Sequence, residues 1–258
     1  MCSNPPKSGS LFILYERQGR FVKGMRLDKY LASYVPMSRK EAKAAVRQGR
    51  VMVAGERAVK EDYKVEEGCT VCLDGEPVKA EEYVYYMLNK PAGVVSATSD
   101  QTERTVLDLI DTKGRAVFPV GRLDKDTTGL LILTDNGSLA HQLLSPRYHV
   151  EKVYEFLYEG EFVPEAVQLA AEGIDIGEKH LTEPAVLELP APAGHFARLT
   201  ISEGKYHQVK RMAAKLGVRV TALRRVTFGG ILLDETLQPG EYRPLTEEEV
   251  GRLQASVL

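Results

Sequence analysis

The chain has 258 residues, of which 43% are hydrophobic and 27% charged, and its formal net charge is −2. This composition excludes a disordered chain, and no apolar run approaches the roughly 18–20 residues of a membrane-spanning helix. One large or two modest domains fit this length, and a nearly neutral chain can bind nucleic acid only through a local basic surface.

Neither residues 1–24 nor the three cysteines are predicted to contribute catalytic or metal-binding groups. The apolar run Leu11–Leu14 is shorter than the hydrophobic region of a signal peptide, so we expect a poorly ordered extension there. A short organelle-targeting arm is the alternative. Cys2, Cys69 and Cys72 are an odd, sparse set that suits a reducing compartment, and we expect a cytoplasmic protein. The last two have C-x-x-C spacing but lie in a strand-like stretch without a second ligand pair, which predicts structural cysteines and no metal site.

Residues 25–82 predict a compact unit of two helices followed by short strands. Apolar residues recur with helical spacing over Leu27–Tyr34, and Pro36 ends that helix. Ser38 and Glu41 then have the spacing of a capping box, which predicts the start of a second helix. Because the stretch beyond it alternates and contains glycine turns, it predicts short strands.

The helical part of this unit is locally basic. Seven cationic residues and two acidic ones lie between its ends, although most charge runs are simply solvated helix faces. Two helices followed by the stretch RVMVAG, residues 50–55, resemble the alpha-L RNA-binding module first known from a small-subunit ribosomal protein. This resemblance implies that the basic residues contact RNA phosphates. They are Arg26, Lys29, Arg39, Lys40, Lys43, Arg47 and Arg50.

Residues 83–258 are predicted to form a second domain whose chemistry centres on Asp124. This carboxylate lies in the stretch RLDKDTTGLLILT, residues 122–134, two residues after a cation and just before an apolar run that predicts a buried strand. A loop mounted on a rigid strand is a good support for a reacting group. Two alternatives remain: a structural Asp pairing with Arg122, and a calcium-binding loop, which would need flanking helices and oxygen ligands through its middle.

Several motifs of this domain resemble those of the pseudouridine synthases, in the same order. Besides the Asp124 stretch, they are NKPAG at residues 89–93, EKVY at residues 151–154 and EGKYHQVKRM at residues 203–212. The resemblance implies isomerisation of uridine to pseudouridine in RNA, without a metal or redox cofactor. From the residues alone, NKPAG predicts only a tight turn, and Tyr154 is equally explained by packing in a core.

The resemblance also implies roles for individual residues. Asp124 is the catalytic carboxylate, and Lys210 favours its charged form. Tyr154 stacks on the extruded uracil and is a candidate for moving the final proton, while Arg122 binds RNA or holds the extruded nucleotide. His207 is expected to face RNA without a catalytic role. The implied substrate-binding residues are Arg122, Tyr154, His207, Gln208, Lys210 and Arg211.

The predicted architecture is α+β, a small alpha-L RNA-binding domain followed by a catalytic domain with a mainly antiparallel, mixed sheet, because helix and strand signals do not alternate regularly. The YHQVKRM stretch and the Gly229–Gly230 pair resemble the small-subunit rRNA branch more than the large-subunit branches. We expect a monomer acting on ribosomal RNA or a ribosomal assembly intermediate, with no membrane partner. A large-subunit rRNA enzyme and a non-catalytic RNA-binding assembly factor are the alternatives.

Overall fold

The structure is a computed structural model that describes residues 25–35, 37–58, 60–66, 69–78, 83–190 and 195–258. The chain divides into two compact units, Met1–Glu82 and Tyr83–Leu258. The extension predicted over residues 1–24 lies outside the described residues. In the described ranges, no helix combines the length and apolar character that crossing a bilayer requires.

The first unit contains the two predicted helices, α1 (Leu27–Tyr34) and α2 (Arg39–Arg47). The capping box forms at α2, where the Ser38 hydroxyl accepts from the Glu41 amide and the Glu41 carboxylate accepts from the Ser38 amide. Four strands form one sheet in the order β3-β2-β5-β6, and β1 pairs with β4. The strands are β1 (Met25–Arg26), β2 (Val51–Val53), β3 (Glu56–Arg57), β4 (Lys64–Val65), β5 (Val71–Leu73) and β6 (Glu76–Pro77).

The second unit is built on a nine-stranded sheet with helices α3 (Gly137–Leu144), α4 (Ala166–Glu172), α5 (Gln208–Lys215) and α6 (Glu247–Ala255). Two short 3₁₀ helices, Val106–Leu109 and Pro146–Tyr148, complete its helical segments in the described ranges. The strands are β7 (Tyr85–Lys90), β8 (Phe118–Pro119), β9 (Thr128–Thr134), β10 (Lys152–Gly160), β11 (Val186–Glu188), β12 (Phe196–Ile201), β13 (Val218–Phe228), β14 (Ile231–Leu232) and β15 (Tyr242–Pro244).

The sheet runs in the order β11-β12-β10-β13-β9-β7-β15, with β14 beside β13 and β8 beside β9. Its described pairs are antiparallel except β9 with β13, which run parallel where Thr128 faces Arg224 and Gly129 faces Arg225. A mixed, mainly antiparallel sheet confirms the predicted α+β architecture. β13 is the longest strand, and it joins the two halves of the sheet.

Both faces of β9 are covered, which explains its uninterrupted apolar sequence. Leu131 and Leu133 pack into one core together with residues of α4 and α5. Leu130 and Ile132 pack into a second core together with residues of α3 and α6. Because side chains alternate along a strand, a run of four apolar residues supplies both cores, and the strand becomes a rigid support for the loop before it.

A buried lysine fixes that loop. Lys90, the last residue of β7, has no exposed surface, and its ammonium donates to the carbonyl oxygens of Pro91, Asp124, Lys125 and Thr127 over 3.1, 3.1, 3.3 and 2.8 Å. Burial lowers the pKa of Lys90 to about 8, against the opposing effect of Asp126 and Asp124, so the cation still predominates at neutral pH. A buried charge is tolerated only when it is hydrogen-bonded, and here three of the four acceptors belong to the loop containing Asp124.

We expect Lys90→Met to destabilise the second unit by at least about 3 kcal/mol, because it leaves several inward-facing carbonyls without a donor. Chemical denaturation would show a lower midpoint with a similar slope. Lys125→Met is the matched control, since this lysine lies on the same loop but pairs with Glu103 at the surface, where an ion pair contributes under about 1 kcal/mol. Equal midpoints for the two variants would contradict a structural role for Lys90.

Candidate active site

Asp124 lies in the loop between β8 and β9, and its carboxylate faces the start of α5. The Lys210 ammonium is 3.1 Å from Oδ2, and the His207 imidazole Nε2 is 3.5 Å from Oδ1. The side chain of Asp124 is 27% exposed, so the carboxylate is partly screened but open to a ligand. The sequence motifs that contain Asp124 and Lys210 therefore meet in space, although they lie far apart along the chain.

Lys210 is shared between two carboxylates. Its Nζ lies 2.7 and 2.9 Å from the two oxygens of Asp126, in addition to its contact with Asp124. Partial burial acts to lower the pKa of Lys210, but hydrogen bonds to Asp126 and Asp124 outweigh it, and the pKa lies above its ordinary value. Lys210 is thus a fixed cation. Asp126 was not among the residues that the motif pattern marked, because an exposed loop aspartate has no local signal.

The N-terminus of α5 presents His207 and Lys210 to Asp124. His207 is the N-cap residue and has a left-handed backbone, with φ of 49°. Its ring stacks on the ring of Tyr206, with centroids 3.8 Å apart and planes 19° apart. Cations at a helix start are disfavoured by the helix dipole, and the carboxylates of Asp124 and Asp126 offset this cost.

Tyr154 lies on β10 and is only 8% exposed. It belongs to the same apolar core as Leu123, the residue before Asp124, and Val209 of α5. Its strand neighbours are Leu199 on β12 and Arg225 on β13. Tyr154 therefore lies on the face of the sheet that α5 covers, and most of its surface packs against protein.

Arg122 and Gln208, two other residues marked by the motifs, have contrasting surroundings. Arg122 is exposed and makes no ion pair within the described part of the chain. Gln208 is buried, and its amide binds the Lys205 backbone N–H and Glu203 Oε1, each over 2.8 Å. The guanidinium of Arg122 is therefore available to a ligand, whereas the amide of Gln208 is engaged within the protein.

Arg211 holds α5 to a neighbouring loop. Its guanidinium pairs with Glu178 over 2.8 Å and donates to the backbone carbonyls of Tyr206 and Ile176. These bonds keep the start of α5, and with it Lys210, in place. Gln208 and Arg211 thus make intramolecular contacts that support the loop before α5.

The first unit has a separate basic surface organised by a buried acid. Asp28 has no exposed surface, and its carboxylate lies 3.2 Å from Arg26, 3.0 Å from Arg39 and 3.9 Å from Lys43. Burial acts to raise the pKa of Asp28, but hydrogen bonds from Arg26 and Arg39 lower it below its ordinary value. One ionised carboxylate therefore gathers three cations, which leaves a local excess of positive charge.

The remaining predicted RNA-binding cations form two groups: two arginines that are paired with acids and two lysines that are not. Arg47 bonds to Glu61 over 2.7 Å, and Arg50 bonds to Asp74 through its Nε, also over 2.7 Å. Lys29 and Lys40 are exposed and, over the described residues, have no acidic partner. This surface therefore presents two kinds of cation: some are already held by an acid, and others have no acidic partner among the described residues.

The calcium-loop alternative for Asp124 does not survive this geometry. An EF-hand requires a helix on each side of the loop and oxygen ligands through its middle. Here residues 130–133 lie within β9 and are fully buried apolar side chains. The carboxylates of Asp124 and Asp126 instead converge on the ammonium of Lys210.

Comparison with known proteins agrees with these observations. Residues 84–215 match the model of the RNA pseudouridylate synthase family, and residues 25–71 match that of the S4 domain. The chain is 47% identical over 237 residues to an uncharacterized RNA pseudouridine synthase of Bacillus subtilis, YtzG, covering 89% of this chain and 98% of that one. It is 45% identical over 230 residues to the ribosomal small subunit pseudouridine synthase A of Escherichia coli, covering 88% and 99%.

A solved pseudouridylate synthase structure is also similar, with a TM-score of 0.64 and 40% identity over 89% of this chain and 99% of that one. The two family models together include the basic helices and the four motifs at residues 89–93, 122–134, 151–154 and 203–212. They confirm the resemblance predicted from the motifs around Asp124 and from the two basic helices. The chain therefore belongs to the RNA pseudouridylate synthase family and has an S4 domain before its catalytic domain.

Proposed function

We propose that this protein isomerises a uridine of small-subunit ribosomal RNA to pseudouridine, with Asp124 as the catalytic carboxylate. The observation that carries the proposal is the Asp124 carboxylate, partly open and 3.1 Å from a fixed ammonium, in a member of this family. The small-subunit assignment is supported by relatives of that name with 45% identity over nearly their whole length.

The reaction breaks the bond between the ribose and N1 of uracil and forms a bond from the same ribose carbon to C5. N1 gains a proton and C5 loses one, so no redox partner is required. An ionised carboxylate can serve by attacking the sugar, by adding to the base or by removing a sugar proton to give a glycal. Each route requires a charged Asp124, and the Lys210 ammonium lies 3.1 Å from its carboxylate as a counter-ion.

The reacting base has to leave its helix or be unpaired already, at a cost of a few kcal/mol. We infer that Tyr154, which is 8% exposed, stacks on the extruded uracil and that Arg122, exposed and unpaired within the described ranges, binds the RNA backbone near it. The free cations of the S4 domain and those gathered by Asp28 supply phosphate contacts that offset the cost of extrusion.

We infer a monomer acting in the cytoplasm on rRNA or an assembly intermediate. A large-subunit rRNA substrate and a non-catalytic assembly factor are the alternatives. The experiment that separates these functions is to map pseudouridines in ribosomal RNA from cells with and without the protein. Loss of one site in small-subunit rRNA is the expected result, and an unchanged map would contradict the proposal.

Asp124→Asn should abolish detectable isomerisation while RNA affinity stays within about twofold of the unmodified protein, because the amide preserves shape but removes the charge. Tritium release from C5-labelled rRNA measures turnover, and filter binding measures affinity. Asp111→Asn is the matched control, since Asp111 is an exposed loop aspartate whose carboxylate bonds only a neighbouring amide within the described residues. Residual turnover of Asp124→Asn near that of the control would reject Asp124 as the catalytic group.

Lys210→Met should reduce the single-turnover rate constant by about 10²–10³-fold, the usual loss when one electrostatic partner is removed from an active site. Lys210→Arg keeps the positive charge and should recover most of this loss, although guanidinium geometry differs from that of an ammonium. The measurement is single-turnover kinetics at saturating enzyme, which separates chemistry from binding. Equal rates for the Met and Arg variants would show that the charge at this position is not used.

The double variant Arg39→Ala, Lys43→Ala should weaken rRNA binding and reduce its salt dependence. The slope of log affinity against log salt should fall by about 0.7–0.9 for each phosphate that the variant no longer neutralises. The control is Arg252→Ala on α6, which removes a surface arginine paired with Glu248. A slope identical to that of the control would mean that these cations do not meet phosphates.

A further inference from the structure

Tyr206 is an exposed aromatic residue beside the candidate active site. Its relative exposure is 74%, compared with 45% for the exposed Tyr63 of the first unit. Tyrosine usually buries most of its ring, so an aromatic ring held in solvent next to a reacting group indicates a binding surface. The proposed function assigns no role to Tyr206.

The position of the ring is fixed by its neighbours. One face stacks on the His207 ring at 3.8 Å, and His207 in turn lies 3.5 Å from the Asp124 carboxylate. The backbone carbonyl of Tyr206 accepts a hydrogen bond from Arg211 over 3.0 Å. The chain therefore forms an ordered row of tyrosine, imidazole and carboxylate.

The other face of the Tyr206 ring has no protein cover in the described structure, because His207 is its only ring contact there and most of its surface is exposed. The spacing of the Tyr206–His207 stack is close to that of stacked bases. An RNA that extrudes one uridine toward Asp124 loses stacking on both sides of the gap, so its neighbouring bases need a new partner.

We propose that the open face of Tyr206 stacks on the base of a nucleotide adjacent to the isomerised uridine. Stacking of a base on an aromatic side chain tolerates any base and requires no hydrogen bond from the phenol. Tyr206 is then a substrate-positioning residue: it holds the strand beside the extruded uridine, and His207 supports the ring from behind. This inference rests on the proposed function, since it concerns the same RNA.

The test uses the full-length protein and a small-subunit rRNA fragment containing the mapped uridine, with 2-aminopurine placed on its 5′ side or on its 3′ side. Tyr206→Leu should raise the dissociation constant and KM by about 5- to 150-fold while kcat stays within about twofold, because stacking is present before and during the reaction. Tyr206→Phe should behave like the unmodified protein. The fluorescence of one labelled position should be quenched on binding, and this quenching should disappear only in the Leu variant.

The control is Leu232→Ala, which removes an apolar side chain that is 66% exposed elsewhere in the same unit. A Tyr206→Leu variant with reduced kcat and unchanged KM would overturn the proposal, since it would mean that the ring only supports His207. Unchanged binding and quenching would overturn it as well. If the unmodified protein binds this fragment without isomerising its uridine, the proposed function is rejected instead, and quenching of the bound fragment still reports whether Tyr206 stacks.

Discussion

The buried ammonium of Lys90 is the interaction on which the position of Asp124 depends. Burying a charge is costly, and the cost is met here by four carbonyl oxygens, three of them from the loop of residues 124–127. The loop has no regular backbone pairing of its own, so a cation at its centre replaces a hydrogen-bond ladder. The carboxylate of Asp124 is left pointing outward from a loop whose backbone is held from within.

A second lysine, Lys210 of α5, contacts the same loop through carboxylate side chains. Lys210 contacts both Asp124 and Asp126, and the three charges together leave one net negative charge. Asp126 is 73% exposed on its side chain, so it anchors Lys210 from the solvent side while Asp124 remains the more enclosed carboxylate. Arg211 and Gln208 use their polar atoms to hold the start of α5, which keeps Lys210 at a defined distance.

In the S4 domain the buried organising charge is negative: it is the carboxylate of Asp28. Arg26, Arg39 and Lys43 repel one another, and the buried Asp28 carboxylate allows them to lie on one surface. Since the acid has no exposed surface, the cations and not the acid are presented to solvent. Buried charges thus organise both units: a cation under the loop of residues 124–127 and an anion under the basic surface of the S4 domain.

The sequence by itself determined the features that local pattern encodes: the capping box of Ser38, a buried strand at β9 and the motif that marks Asp124. It also determined the family, because the motifs occur in order. It did not predict α4, the parallel pairing of β13 with β9, or the roles of Lys90 and Asp126. The strand pairing and the roles of the two residues depend on contacts between distant segments, such as that of Lys210 with Asp126, which are 84 residues apart. Only the tertiary structure decided them, because packing of distant segments determines which charges meet, and no local periodicity records that.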